Sequence, residues 1–153
     1  MPKTVADLMT REPLTARAEM SVKEAIKILA ARRISGLPVV DANDLLIGVI
    51  SETDLMWQET GVTPPTYIMI LDSVIYLENP SRYEQELHKA LGQTVGEVMS
   101  REPISISPKK SVQEAAKLLH ERKIHRLPVI DPNGKVIGIL TRGDIVRAMV
   151  AEL

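Results

Sequence analysis

The chain has 153 residues, with 19 basic against 20 acidic side chains for a net charge of −1, and no cysteine. That excludes disulfides, thiolate metal sites and thiol catalysis, and it leaves no electropositive, aromatic-studded surface for nucleic acid. The apolar residues are Ile, Leu, Val, Ala and Met, with no Phe, one Trp (Trp57) and three Tyr (Tyr67, Tyr76, Tyr83), which suits β-branched strands packed on Leu- and Ala-bearing helices.

In chain order the elements come twice. Val5–Leu55 aligns with Val95–Ile145 at an offset of 90 residues without a gap, and 21 of the 51 pairs are identical. Each unit opens with a short amphipathic stretch, Val5–Met9 or Val95–Met99, then an Arg-Glu-Pro turn. A short strand follows, Leu14-Thr15 or Ile104-Ser105-Ile106, because proline keeps the residue before it extended. Ser21-Val-Lys-Glu24 and Ser111-Val-Gln-Glu114 have the S-x-x-E form of a capping box and predict a helix start. Val22, Ala25, Ile26 and Leu29, with Val112, Ala115, Ala116 and Leu119, supply its buried face. Arg32-Arg33 and Arg122-Lys123 suit the negative end of the helix dipole. Leu37-Pro-Val-Val40 and Leu46–Ile50, like Leu127-Pro-Val-Ile130 and Val136–Leu140, read as antiparallel pairs joined by polar turns. Ser51-Glu-Thr-Asp54 and Thr141-Arg-Gly-Asp144 then open a second helix.

The unit is β-α-β-β-α, so the fold class is α+β. A sheet covered by helices on one face leaves its other face apolar, and two such repeats are expected to pack sheet to sheet. The division is residues 1–60 for the first repeat, 61–94 for an insert and 95–153 for the second repeat. The insert breaks at Gly61 and Pro64-Pro65, runs Tyr67–Leu77 as an apolar helix or strand, breaks again at Asn79-Pro80, and restarts with Ser81-Arg-Tyr-Glu84 capping a helix towards Leu91. It is expected to be largely helical. It either packs over the module or forms a dimer or partner surface.

Met1–Thr10 contains an acidic residue and no apolar run, which does not fit a signal or transit peptide. Tyr67–Leu77 is interrupted by Asp72-Ser73 and falls short of the roughly 20 residues of a membrane span. The expectation is a soluble, cytoplasmic protein with neither membrane nor nucleic acid as partner. There is no G-x-x-x-x-G-K-S/T loop, no metal-ligand cluster and no readable Ser/His/Asp arrangement, so an enzyme is not expected.

The repeat order, the Leu-Pro-Val-Val/Ile-Asp strand, the Gly-x-x-S/T-x-x-Asp helix start and the doubled unit together resemble the tandem cystathionine-β-synthase (CBS) domain pair, or Bateman module, over nearly the whole chain. The resemblance implies pseudo-two-fold symmetry between the repeats, a regulatory role, and an adenine nucleotide as non-covalent ligand, AMP or ATP foremost. It also implies a homodimer and, since no effector domain is read in the sequence, an effector protein as partner. A ligand-free dimeric scaffold is the alternative.

Residue by residue, Ser51 and Asp54, with Thr141 and Asp144, match the family's ribose-phosphate motif. The same letters serve equally as a helix-start box that needs no ligand. His125-Arg126 resembles the cationic pair before the Leu-Pro strand of nucleotide-sensing members, whereas the first repeat has Ser35-Gly36 there. Thr15 and Ser105 lie on segments, Pro13-Leu14-Thr15 and Pro103-Ile104-Ser105, that resemble the strand presenting backbone to adenine in that family. Arg142 stands where the first repeat has Glu52, a charge reversal that predicts unequal sites and a guanidinium within reach of phosphate.

Overall fold

The computed structural model describes residues 3–61, 67–70, 73–76 and 79–153. The first repeat supplies α1 (Val5–Leu8), β1 (Thr10–Arg11), β2 (Ala16–Arg17), α2 (Val22–Arg32), β3 (Gly36–Val40), β4 (Leu46–Ser51) and α3 (Glu52–Thr60). The insert supplies β5 (Tyr67–Ile70), β6 (Ser73–Tyr76) and α4 (Pro80–Leu91). The second repeat supplies α5 (Val95–Val98), β7 (Ser100–Arg101), α6 (Val112–Glu121), β8 (Arg126–Ile130), β9 (Val136–Thr141) and α7 (Arg142–Val150). This is the mixed α+β architecture expected of two repeats.

The capping boxes act as the letters imply. The Ser111 hydroxyl accepts from Glu114 N–H at 3.1 Å while the Glu114 carboxylate accepts from Ser111 N–H at 3.0 Å. Ser21 accepts from Glu24 N–H at 3.1 Å and so provides the first half of the same device. The cationic helix ends are left-handed turns, with φ of 53° at Arg33 and 54° at Lys123.

Two compact units cut across the repeats. One contains Met1–Thr15, Pro38–Gly48 and Arg101–Leu153, and the other Ala16–Leu37 and Val49–Ser100. In the first unit the opening arm of repeat one docks on the sheet of repeat two. A three-stranded sheet runs β1-β9-β8, with Thr10 opposite Ile139 and Arg11 opposite Gly138, antiparallel. A Cβ at Gly138 would lie 2.5 Å from the Met9 sulfur and 3.1 Å from Thr10 O, so a side chain there would force the arm or Met9 to shift. The arm also bridges the start of α6, where Thr4 pairs with Ser111, Val5 N–H donates to Lys110 O at 2.8 Å, and Val112 N–H donates to Lys3 O at 3.2 Å. Val5 then buries fully in a core with Ile106, Ala115, Leu119, Leu127, Val129, Leu140 and Ile145.

The capping carboxylate of α1, Asp7, accepts from Thr4 N–H at 2.8 Å and Thr4 Oγ1 at 3.2 Å. These bonds, the backbone one foremost, hold its carboxyl below the usual aspartate value.

In the second unit α5 performs the reciprocal docking. Val95 N–H donates to Met20 O and Gly96 N–H to Ala18 O, each at 2.8 Å, and Ser21 bridges to Thr94. Val22, Ala25, Leu29, Leu37, Ile50, Leu55, Val95 and Val98 are buried there. The remaining sheet has the strand order β2-β3-β4-β7.

Three local expectations change. The short strand of the first repeat starts at Ala16, one residue after Thr15, and in the second repeat Ile106 makes a lone parallel bridge to Val129 rather than a strand with Ile104 and Ser105. The insert is not helical throughout. Tyr67–Ile70 and Ser73–Tyr76 pair antiparallel, from Tyr67 opposite Tyr76 to Ile70 opposite Ser73, as β-branched and aromatic residues around a polar break favour. The cap of α4 is Asn79, whose side chain accepts from Ser81 N–H at 3.0 Å, with Pro80 at the first helical turn where its missing N–H costs nothing. Pro64-Pro65 and Leu77 lie outside the described residues.

Candidate functional site

Apart from Thr15 and Ser105, the sequence candidates fall at two equivalent junctions, each where a strand end meets the start of the repeat's second helix. In the second repeat His125 precedes β8, and its carbonyl accepts from Arg142 N–H at 3.1 Å. Arg126, the first residue of β8, stands opposite Thr141, the last of β9. Thr141 caps α7 reciprocally: its Oγ1 accepts from Asp144 N–H at 3.2 Å, and Asp144 Oδ2 accepts from Thr141 N–H at 2.9 Å. A hydroxyl, a carboxylate and the N-terminal amides of a nine-residue helix are thus held beside a His-Arg strand start. Ser105 lies next to Ile106, which hydrogen-bonds to Pro128 O and accepts from Ile130 N–H along β8.

The first repeat reproduces this backbone frame. Glu52 N–H donates to Ser35 O at 3.0 Å, matching the contact between Arg142 and His125, and Gly36 is buried at the start of β3. Ser51 and Asp54 form the helix-start box of α3, with Ser51 N–H and Oγ donating to Asp54 Oδ2 at 3.0 and 3.2 Å. Thr15 is half-buried and is the last residue of the opening arm that belongs to the first compact unit.

The two carboxylates differ in what meets their second oxygen. Asp144 Oδ1 faces the guanidinium of Arg147, one turn along α7, and that side chain is 72% exposed. Asp54 Oδ1 instead accepts from Lys89 Nζ of α4 at 2.5 Å and from Ser100 Oγ at 2.7 Å. Sequence reasoning missed Lys89, Ser100 and Arg147. Arg147 was detectable, since at the repeat offset its counterpart is Trp57, but Lys89 lies in the insert, where no counterpart exists.

Arg142 does not extend as its letter suggests. Its Nε donates to Ile124 O at 2.8 Å and its NH2 to Leu119 O at 3.3 Å. The guanidinium therefore satisfies carbonyls at and just beyond the C-terminal end of α6, which attracts cations. Among the described residues no group of His, Asp and Glu is arranged to hold a metal ion, and no helix is long and apolar enough to cross a membrane.

The sequence model of the CBS domain matches residues 5–58 and 95–151. The chain belongs to the CBS-domain family. Among curated proteins it is 36% identical over 149 residues to CBS domain-containing protein CBSX2, chloroplastic, of Arabidopsis thaliana, covering 95% of this chain and 63% of the relative. The CBS pair thus spans just under two thirds of that plant protein. Among solved structures it resembles CBSX2 in complex with AMP, at a TM-score of 0.84 and 32% identity, over 97% of each chain. It also resembles the CBS domain pair of protein MJ0100 in complex with 5-methylthioadenosine and S-adenosyl-L-methionine, at a TM-score of 0.75 and 25% identity over the full length of both. Both of those ligand sets carry an adenosine.

Proposed function

We propose that this CBS pair is a sensor for an adenine nucleotide, AMP foremost, which enters at the second repeat and passes its state to an effector protein or to a second copy of the chain. The observation that carries this reading is the Thr141–Asp144 cap. A ribose diol donates to carboxylate oxygens, and Asp144 presents a carboxylate whose position is fixed by one hydrogen bond while its other oxygen meets the exposed guanidinium of Arg147. Arg126 adds a cationic donor and His125 an imidazole on the adjoining strand start, suited to a phosphate, and Ser105 lies on the neighbouring segment. The AMP complex of CBSX2 supports the ligand class, and a module of this family regulates rather than catalyses.

Thermal unfolding with AMP, ADP, ATP, NAD and S-adenosylmethionine, one at a time, tests the proposal. At a hundredfold excess over Kd a bound ligand stabilises by about 2.7 kcal/mol, or roughly 5–10 °C for a chain of this size. A selective rise with one adenine nucleotide is the expected result. No rise with any of them removes the sensor reading and leaves the ligand-free scaffold.

A further inference from the structure

We infer that Lys89 is the resident occupant of the first repeat's ribose carboxylate, so that each chain takes its adenosyl ligand through Asp144 and not through Asp54. The inference rests on the adenosyl-ligand reading above and deepens it, assigning a number of sites and a residue that sets that number.

The bonding around Asp54 is complete. A carboxylate offers about four lone-pair positions, and Asp54 receives Ser51 N–H, Ser51 Oγ, Lys89 Nζ and Ser100 Oγ. An ammonium has three N–H donors, and those of Lys89 meet Asp54 Oδ1 at 2.5 Å, Val98 O at 3.0 Å and Ser100 Oγ at 3.2 Å. Ser100 accepts from Lys89 and donates its own proton to Asp54, which closes the ring with every proton assigned. The Asp54 side chain is 6% exposed and that of Lys89 20%.

The backbone carrying Lys89 is itself clamped. Gln58 of α3 donates through Nε2 to Lys89 O and, at 3.3 Å, to Gly92 O. Gly92 ends α4 so tightly that a Cβ there would lie 2.6 Å from His88 O and 2.7 Å from Val98 Cγ2. A ribose diol seeking Asp54 must therefore displace an ammonium held by three acceptors and leave the Val98 carbonyl without its donor. At Asp144 the competing cation is an arginine already in water, which leaves by a change of rotamer. The insert helix thus does to the first repeat what a ligand does to the second: it fills the carboxylate with donors.

Calorimetry with AMP on the wild-type chain, Lys89→Ala and Asp54→Asn tests this. One AMP per wild-type chain, two per Lys89→Ala chain, and an Asp54→Asn Kd within about twofold of wild type, a difference below about 0.4 kcal/mol, are expected. Two AMP per wild-type chain, or a single AMP per Lys89→Ala chain, overturns the inference while the sensor reading stands. Binding to Lys89→Ala alone also overturns the inference, because no ligand then enters through Asp144, and binding to neither chain removes the sensor reading with it. Should Lys89→Ala fail to fold, amide exchange across α4 in the wild-type protein decides. Protection unchanged by saturating AMP is expected, and protection lost on AMP binding shows that the ligand displaces Lys89.

Discussion

Asp54 and Asp144 occupy the same place in the two repeats and cap the same helix in the same way, yet only one is closed from outside. Asp54 is finished by residues far along the chain, Lys89 and Ser100, whereas Asp144 is met by a side chain of its own helix. The difference teaches that a motif's letters fix the local frame, while the chemistry of its outward oxygen depends on what the rest of the fold brings there.

The comparison breaks hardest at Asp54. Asp54→Ala leaves the part-buried Lys89 ammonium without its carboxylate, a loss bounded by the roughly 3–5 kcal/mol that breaking a fully buried pair costs. Chemical denaturation should show that loss with nucleotide affinity little changed among the molecules that remain folded. Asp144→Ala should do the reverse. Calorimetry is expected to show at least a tenfold rise in AMP Kd, about 1.4 kcal/mol, against a stability loss of about 1 kcal/mol from the missing helix cap. If the two variants lose affinity equally, the asymmetry fails.

Arg142→Ala sharpens the contrast from another side. Its bonds to Leu119 O and Ile124 O make it a brace for α6, so the expected effect is about 1 kcal/mol of stability with the AMP Kd little altered. A large affinity loss would instead return Arg142 to the phosphate.

The smallest effect concerns the helix starts of the opening arms. The carboxyl of Asp7 lies below its ordinary value through its bonds to Thr4, so its contribution is present above the unfolded carboxyl's pKa, near 3.9, and is lost as pH falls through the lower folded value. Thermal melts of wild type and Asp7→Asn should differ slightly at neutral pH and converge in acid.

Much of this was legible because local rules and the repeat agreed. The S-x-x-E and S/T-x-x-D boxes open the helices they imply, and the Leu-Pro-Val strands pair in the order read. The exchanged arms were not legible, since Val5–Met9 and Val95–Met99 are alike in letters and nothing local says which sheet either one joins. The hairpin of the insert was ambiguous because a short apolar run such as Tyr67–Ile70 suits helix or strand alike until its partner is known. Lys89 was invisible for a different reason. Its partner lies 35 residues away, a separation that no periodicity marks.

The docking of the opening arm on β9 also sets a timetable for synthesis. Val5 cannot reach its core until Leu140 has been made, and at 5–20 residues per second the ribosome delivers that strand about 7–27 s later. The unit that holds Asp54 and Lys89 ends at Ser100, so it can form while the unit that holds Asp144 still waits for Arg101–Leu153.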